Sequence, residues 1–472
     1  MGISINKSSL PALTEDQIKT IHLKSVEILE STGMWFGSDN LVGIAKKSGF
    51  RTEGNQIFFT EEDINNALIK IPSNFKLLAR NPENSIDFDL NIVVAGMGRS
   101  APFIIDRNGK RHNATRNYFV NCMKIGQSLK AVKVMGALVN PSDIPVEKMS
   151  SFMTAAQIKY SDKPYGIGGV DTLDLLARSF GIGVDKLKAG PSQGFCYAQT
   201  TVNPLSPLAM TKDQSDKLIT MARSGIAICA SPTPAAGSSG PCSIIGNLIL
   251  NNCEVLGTIV LINLINPELP VFYGAFPCSS DMRSMNATYG GPETRKMEAA
   301  SALMAKHYNL LSRSNAGVHD GMENDFQAGA ESMMNFMNGF ENRVNYLPGC
   351  GILAGFAMAS IEKLVLDAEL AGYAEKFISP VESANESVDE VVELIKKTGS
   401  KGNYLTCQHT FKNFKSELYH PELFYRASYE KWISSGKSLI TRAGEKADTL
   451  LEKYKQPDNG KEFELYLDKF LN

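Results

Sequence analysis

The sequence predicts an α/β protein: a (β/α)8 TIM barrel carrying a helical N-terminal extension and a helical C-terminal tail. Three observations predict it. From about Asn113, short apolar runs alternate with amphipathic stretches through seven consecutive units, the rhythm of parallel strands joined by covering helices. The segments that follow the apolar runs are rich in Gly, Ser, Pro and Asn, as loops over strand ends require. No G-x-G-x-x-G follows the first apolar run, so an open dinucleotide-binding sheet is disfavoured and so many repeats point to closure.

Residues 1–112 form the extension. Thr14 and Gln17 make a capping box, Ile18, Ile21, Val26 and Leu29 supply an apolar stripe, and Gly33 ends the helix,. A second helix follows Thr60, carries Ile64, Leu68 and Ile71, and stops at Pro72,. Residues 86–110 alternate β-branched and polar positions and contain turn glycines, which predicts strands or a hairpin, with Gly96 and Gly98 as a turn pair,.

Residues 113–380 form the barrel. Strands are expected at 132–139, 165–170, 194–201, 226–230, 269–276, 312–318 and 346–353. Helices are expected at 149–160, 173–181, 212–223, 245–265, 293–308, 326–340 and 360–371,. Thr211 and Gln214 cap the third of these, and Gly225 closes it,. Residues 381–472 read as a charged helical tail with aromatic residues gathered between Phe411 and Trp432, expected to pack on the barrel or on a second subunit of a homo-oligomer.

Of the 472 residues, 43% are hydrophobic, ample for a large core,. A net charge of −2 with dispersed Lys and Arg provides no field for nucleic acid or an anionic membrane surface. The first apolar helix carries Glu15, Asp16, Lys19, Lys24 and Glu27, which a secretion signal excludes,. The apolar run 244–265 is broken by Asn247, Asn251, Asn252 and Glu254, so it reads as a buried helix and not a membrane span,. A cytoplasmic location is expected. The eight cysteines include no C-x-x-C, in keeping with reduced thiols,.

A barrel places its chemistry at the C-terminal ends of its strands, here 168–169, 199–206, 231–241, 274–281, 316–324 and 349–356. These segments hold few titratable groups. The six histidines form no H-x-H or H-E-x-x-H, so no metal site is expected, and no G-x-S-x-G elbow is present,. The densest polar group is His319, Asp320, Glu323, Asp325 and Gln327, with Asp325 placed to cap the helix that follows,. Tyr197, Tyr273, Phe276, Tyr346 and Phe356 lie near strand ends, where ring faces could hold a cation. Arg313 stands in a strand, where burial calls for an anionic partner.

Several segments, in order and spacing, resemble the trimethylamine methyltransferase family across almost the whole chain. They are Ser206-Pro207-Leu208, the run from Ala236 to Pro241 with Asn252-x-Glu254, Phe272-Tyr273-Gly274, Asp281-Met282 with Gly291-Pro292-Glu293, Gln327-Ala328-Gly329, Glu362-Lys363 and His409-Thr410. The founding members carry pyrrolysine in a strand-end segment; the run His319 to Ala328 resembles it, with Glu323 about where pyrrolysine would stand. The resemblance therefore implies the non-pyrrolysine branch, which acts on quaternary amines such as glycine betaine, proline betaine, carnitine and γ-butyrobetaine. It implies methyl transfer to the Co(I) corrinoid of a cognate carrier protein, with no tightly bound cofactor and no acid, base or covalent residue. Together with strand-end placement it nominates Phe356 and Tyr346 as cation-facing rings and Arg313 as the carboxylate partner. Asp320, Glu323, Gln199 and Asn203 are nominated as polar lining, and Gly237, Ser238, Ser239 and Gly240 as the corrinoid-facing loop. Two other readings stay open: a barrel lyase or transferase using Asp320 and Glu323 as acid and base, and a non-catalytic betaine-binding protein.

Overall fold

The computed structural model describes residues 12–381 and 387–471; the outermost parts of the predicted extension and tail, and the tail's residues 382–386, lie outside them. Its centre is a seven-stranded, all-parallel, curled sheet. The strands are β1 (Val94–Met97), β2 (Val132–Val134), β3 (Gln199–Val202), β4 (Ala227–Ala230), β5 (Val271–Gly274), β6 (Leu311–Arg313) and β7 (Tyr346–Cys350). Their order is β3-β4-β5-β6-β7-β1-β2, so the last strand in the chain pairs with the first. Between the open edges β2 and β3 lie two parallel bridges, Met135 with Tyr165 and Gly166 with Gln199.

The segment 86–110 forms strands, as expected, at Ile86–Phe88, Val94–Met97 and Phe103–Ile105. They are not one self-contained hairpin: Val94–Met97 joins the parallel sheet between β7 and β2. Nor are the segment's glycines a turn pair. A Cβ on Gly96 would sit 2.9 Å from the Tyr346 ring, and one on Gly98 2.3 Å from the Ile352 side chain. Both positions require the absence of a side chain, for space.

The outer layer comprises α1 (Arg116–Ser128), α2 (Val146–Tyr160), α3 (Leu173–Ser179), α4 (Lys212–Arg223), α5 (Ile244–Ile265), α6 (Pro292–His307), α7 (Phe326–Glu341) and α8 (Ile361–Ile378). Local chemistry explains their starts: Thr115, Thr211, Asp325 and Ser360 each accept a backbone N–H of the first turn,. Helix α5 is the one helix among the described residues long and apolar enough to cross a membrane, yet 83% of that window is buried inside the fold. It is apolar on all sides because Glu15–Ser31 and Glu61–Lys70 cover its outer face while the sheet covers its inner one,. Asn252 on α5 donates to Ser25 Oγ and Tyr308 OH, each at 2.9 Å, and accepts from Tyr273 OH at 2.8 Å. These bonds satisfy polar groups that burial would otherwise penalise.

Glu254, also on α5 and fully buried, accepts from Ser206 Oγ at 2.7 Å and Leu208 N–H at 2.8 Å. Burial pushes its carboxyl up to about 7. The folded state therefore holds a proton that the unfolded state releases near pH 4.5, and stability falls as pH rises from there through about 7. In Glu254→Gln the amide keeps both contacts and does not titrate. The variant should gain about 2–3 kcal/mol over the parent between pH 5 and pH 8, measured by denaturant unfolding at both.

The bore of the sheet is filled from its N-terminal end. A small sheet of Phe75–Leu77, Ile86–Phe88 and Phe195–Cys196 seals it. Phe75 stacks on Phe88 at 5.4 Å, Phe88 meets Phe272 edge-on at 5.1 Å, and Phe272 meets Tyr346 at 6.1 Å. Tyr346 tops this column, so open space begins only above it. The C-terminal helices pack on the outer layer: Ala443 and Ala447 join the core around α1 and α8, and Leu467 the core around α2. Arg107 ties the two parts by donating to Glu362 at 2.6 Å and Asp448 at 2.7 Å.

Candidate active site

A narrow recess of about 30 Å³ opens above Tyr346 at the C-terminal ends of the strands, lined by Gly98, Arg99, Thr201, Arg313, Asn315, Tyr346, Pro348, Gly349 and Phe356. Its electrostatics are one-sided. Arg313, the last residue of β6, donates from Nη1 to Ser231 Oγ at 2.9 Å, and its Nε is buried with no partner. Arg99, just beyond β1, likewise has a buried Nη2 with no partner. Among the described residues, the fully buried ion pairs nearby are Arg295–Glu298 and Lys363–Asp367, and neither Arg99 nor Arg313 belongs to one. Burial pushes the pKa of Arg313 below its ordinary value, and the charge of Arg99 adds to that push. Lys217, donating to Thr201 O at 2.9 Å, is lowered to about 8 by burial and Arg99. Glu298, itself paired with Arg295, acts on Arg313 without forming an ion pair with it, so an anion from outside the chain would stabilise these cations.

Beside the arginines stand three aromatic rings, Phe276 and Tyr289 from the connection between β5 and α6 and Phe356 from the one between β7 and α8. Phe276, Tyr289 and Phe356 lie 5.3–5.4 Å apart, centroid to centroid. The rings touch, so a cation would rest on the surface they share and not between them. The guanidinium of Arg313 is 5.3 Å from the Phe276 centroid, which makes the cationic and aromatic regions neighbours.

Backbone bonds hold these rings in place. Ala354, Gly355 and Phe356 have φ of 49°, 56° and 75°, a run of left-handed residues that costs energy at the two non-glycine positions. Ala354 N–H donates to Gly321 O at 3.0 Å and Gly355 N–H to His319 O at 2.8 Å. Asp320 accepts from Tyr289 N–H at 2.7 Å and Gly290 N–H at 2.9 Å. Arg295 donates to the Tyr289 carbonyl and pairs with Glu298 at 2.5 Å. His319 is fully buried; burial, then Lys363, pushes its ring down to about 2, so it stays neutral at any ordinary pH.

Of the nominated residues, Phe356, Tyr346 and Arg313 line the recess, and Gln199 reaches its floor by donating to Tyr346 OH at 3.3 Å. Asp320 instead positions the Tyr289 loop through both carboxylate oxygens. Asn203 and Glu323 are exposed and do not line the recess. With Asp320 committed to two backbone N–H groups and Glu323 outside, an acid–base pair does not form there. Asp325 caps α7 by accepting from Ala328 N–H at 2.9 Å. Gly237 to Gly240 form a tight turn after β4, in which Ser239 Oγ accepts from Ala235 N–H at 3.0 Å and Ser238 Oγ meets Ser280 Oγ at 2.9 Å. Arg99 and Tyr289 are the residues sequence reasoning missed. The single available signal was an arginine directly after an apolar run that contains close-approach glycines.

A parallel-sheet enzyme with its pocket at the strand ends is the class these observations define. Among solved structures the fold is similar to that of the Methanosarcina barkeri monomethylamine methyltransferase (MtmB), with a TM-score of 0.53 and 12% identity over 94% of this chain and 88% of that one. The family model for trimethylamine methyltransferase (MTTB) matches residues 3–472, and the chain belongs to that family. It is 33% identical to a protein named glycine betaine methyltransferase from Desulfitobacterium hafniense (strain Y51), over 97% of this chain and 96% of that one. It is 25% identical to a proline betaine:corrinoid methyltransferase from Eubacterium limosum, over 96% of each.

Proposed function

We propose that this chain moves a methyl group from a carboxylate-bearing quaternary amine to the Co(I) corrinoid of a separate carrier protein. The observation that carries the reading is the recess itself, where unpaired guanidinium groups adjoin a surface of three rings. A betaine presents the matching charges: an anion for Arg313, and for the rings a methylated cation that has no hydrogen to donate. The names of the relatives support the same chemistry. Uninterrupted sequence where pyrrolysine stands in the founding members places the chain in the quaternary-amine branch. Because the arginine and the rings adjoin, short betaines fit better than carnitine or γ-butyrobetaine.

Co(I) supplies the nucleophile: the methyl C–N bond breaks as the C–Co bond forms, and a neutral tertiary amine leaves. The chain's own residues orient the methyl group and exclude water, and no proton need move. Exposed apolar side chains around the strand-end loops, Leu205, Met282, Met322 and Phe326, suit the docking of the carrier, whose cobalt must reach the recess. In this reading the curled sheet is an eight-stranded barrel completed by Tyr165 and Gly166, beginning at Val94 and not at residue 113. The protein works in the cytoplasm, and the exposed Phe411, Tyr429 and Trp432 of the tail favour a homo-oligomer.

The test is spectroscopic. Purified protein is mixed with the Co(I) form of its candidate carrier, already active with another methyltransferase, and a panel of betaines plus trimethylamine. Conversion to methyl-Co(III) is expected with a short betaine and not with trimethylamine; no conversion with any amine would overturn the proposal. In the same assay Phe356→Ala should lower kcat/KM by about 3- to 30-fold, the worth of one cation–π contact, without unfolding the protein.

A further inference from the structure

Arg99 has the surroundings of a ligand-binding group without a ligand of its own. It lies at the C-terminal end of β1, on the recess wall. The next residue, Ser100, has φ of 68° and donates its N–H to Ala137 O at 2.8 Å, which pins the turn that aims the side chain. A Cβ on Gly166 would fall 1.2 Å from Arg99 Nη2 and 2.4 Å from its Cζ. The guanidinium thus occupies the space a side chain at 166 would fill. A Cβ on Gly136 would sit 3.3 Å from Arg99 Cγ, so a second glycine clears its stem. Two glycines and a fixed turn hold the group inside the barrel mouth, and no protein acceptor meets its buried Nη2.

A structural arginine in such a place ends on a carbonyl or a carboxylate, because an unmet buried donor costs stability. Here Gln199, which shares the space beside Gly166, makes no hydrogen bond to Arg99 Nη2. Its Nε2 would lie 2.8 Å from a Cβ on Gly166 and donates to Tyr346 OH. Arg313 faces the same recess and carries the same charge, so the two guanidinium groups repel unless an anion lies between them.

We propose that Arg99 is a specificity-determining residue: with Arg313 it clamps the substrate carboxylate from two sides, and Gly166 is the seat that makes this position possible. The assignment rests on the betaine reading of the recess and adds to it a second anchor. Two planar forks on one carboxylate satisfy both oxygens. They separate betaines from quaternary amines that lack the anion, since such amines leave both guanidinium groups unpaired.

The experiment is calorimetric titration of the whole chain, without carrier, using glycine betaine and choline, which share the trimethylammonium group and differ at the other end. The parent should bind glycine betaine at least about 30-fold more tightly than choline. Arg99→Gln should weaken glycine betaine by about 10- to 100-fold, the worth of a charge-assisted hydrogen bond, and leave choline unchanged. Arg99→Lys should restore part of the loss, because it returns the charge without the fork. Gly166→Ala should reproduce the glutamine variant by displacing the guanidinium; Arg99→Gln carries the test if the alanine variant does not fold. Unchanged betaine affinity in a folded Arg99→Gln, equal loss of both ligands, or a parent that binds neither would each overturn the proposal. Betaine binding that depends on Arg99, in a protein that never methylates its carrier, would sink the methyl-transfer reading and leave this one standing. Full methyl transfer by Arg99→Gln would do the reverse.

Discussion

Exchanging Arg313 for glutamine is expected to lower kcat/KM for a short betaine by about 100-fold or more and to leave thermal stability near that of the parent. The two halves come from one fact. Arg313 is part-buried against a serine hydroxyl, with no ion-paired carboxylate and a buried, unmet Nε. In the free protein the charge is therefore a burden, and burial already pushes its pKa down. Removing it relieves desolvation and some repulsion from Arg99, so folding loses little. In the proposed complex the same charge would face the substrate carboxylate in the recess. Loss of one partner of such a pair costs about 3–5 kcal/mol, which corresponds to about 10²- to 5 × 10³-fold. The check pairs a melting curve with the Co(I) assay on glycine betaine and on tetramethylammonium, which lacks the carboxylate and should respond little. A large fall in melting temperature, with equal loss on both substrates, would make Arg313 a structural residue.

Arg295→Met is expected to act in the opposite way, through stability. Arg295 and Glu298 are nearly fully buried and paired at 2.5 Å. Arg295 also donates to the carbonyl of Tyr289, while Asn315 donates to Glu298 Oε1 at 3.4 Å. Removing the arginine strands a carboxylate in the interior, at a cost of about 3–5 kcal/mol. Burial already holds Glu298 up at about 7. Its acid form predominates below that pH, so the damage should be smaller at pH 5.5 than at pH 8. Adding Glu298→Gln to the variant should recover much of the loss at pH 8, since no charge then remains to be solvated. Denaturant unfolding of the single and double variants at the two pH values checks both statements. Activity should fall in the single variant even where it stays folded, because the Tyr289 loop loses one of its ties.

The contrast shows which parts of the site could be read in advance. Arg313, Tyr346 and Phe356 were legible because each stands at or just beyond a strand whose apolar run is plain in the sequence, and strand ends are where such a fold keeps its chemistry. Asp325 was legible as a cap because capping is settled within four residues. Asp320 was legible as a strand-end carboxylate but not as a loop anchor. Nothing nearby in sequence reveals that it would meet the N–H groups of Tyr289 and Gly290, some thirty positions earlier. Glu323 and Asn203 show the limit of the strand-end rule. A loop just past a strand can turn outward, and both side chains finish in solvent.

By itself the sequence determined the alternation of strand and helix, the caps that start α4 and α7, the buried character of α5, and membership of the methyltransferase family, because each is written in local spacing or in motif order. Tertiary structure alone decided that Val94–Met97 belongs between the last strand and the second. It alone decided that Gly96, Gly98 and Gly166 serve space and not turns, and that Arg99, Phe276 and Tyr289 meet Arg313 and Phe356 above Tyr346. The physical reason is that closing a sheet on itself joins residues more than two hundred positions apart. Which side chains share the enclosed space depends on strand register and on the volume left by neighbours, and neither quantity is carried by any one segment of the chain.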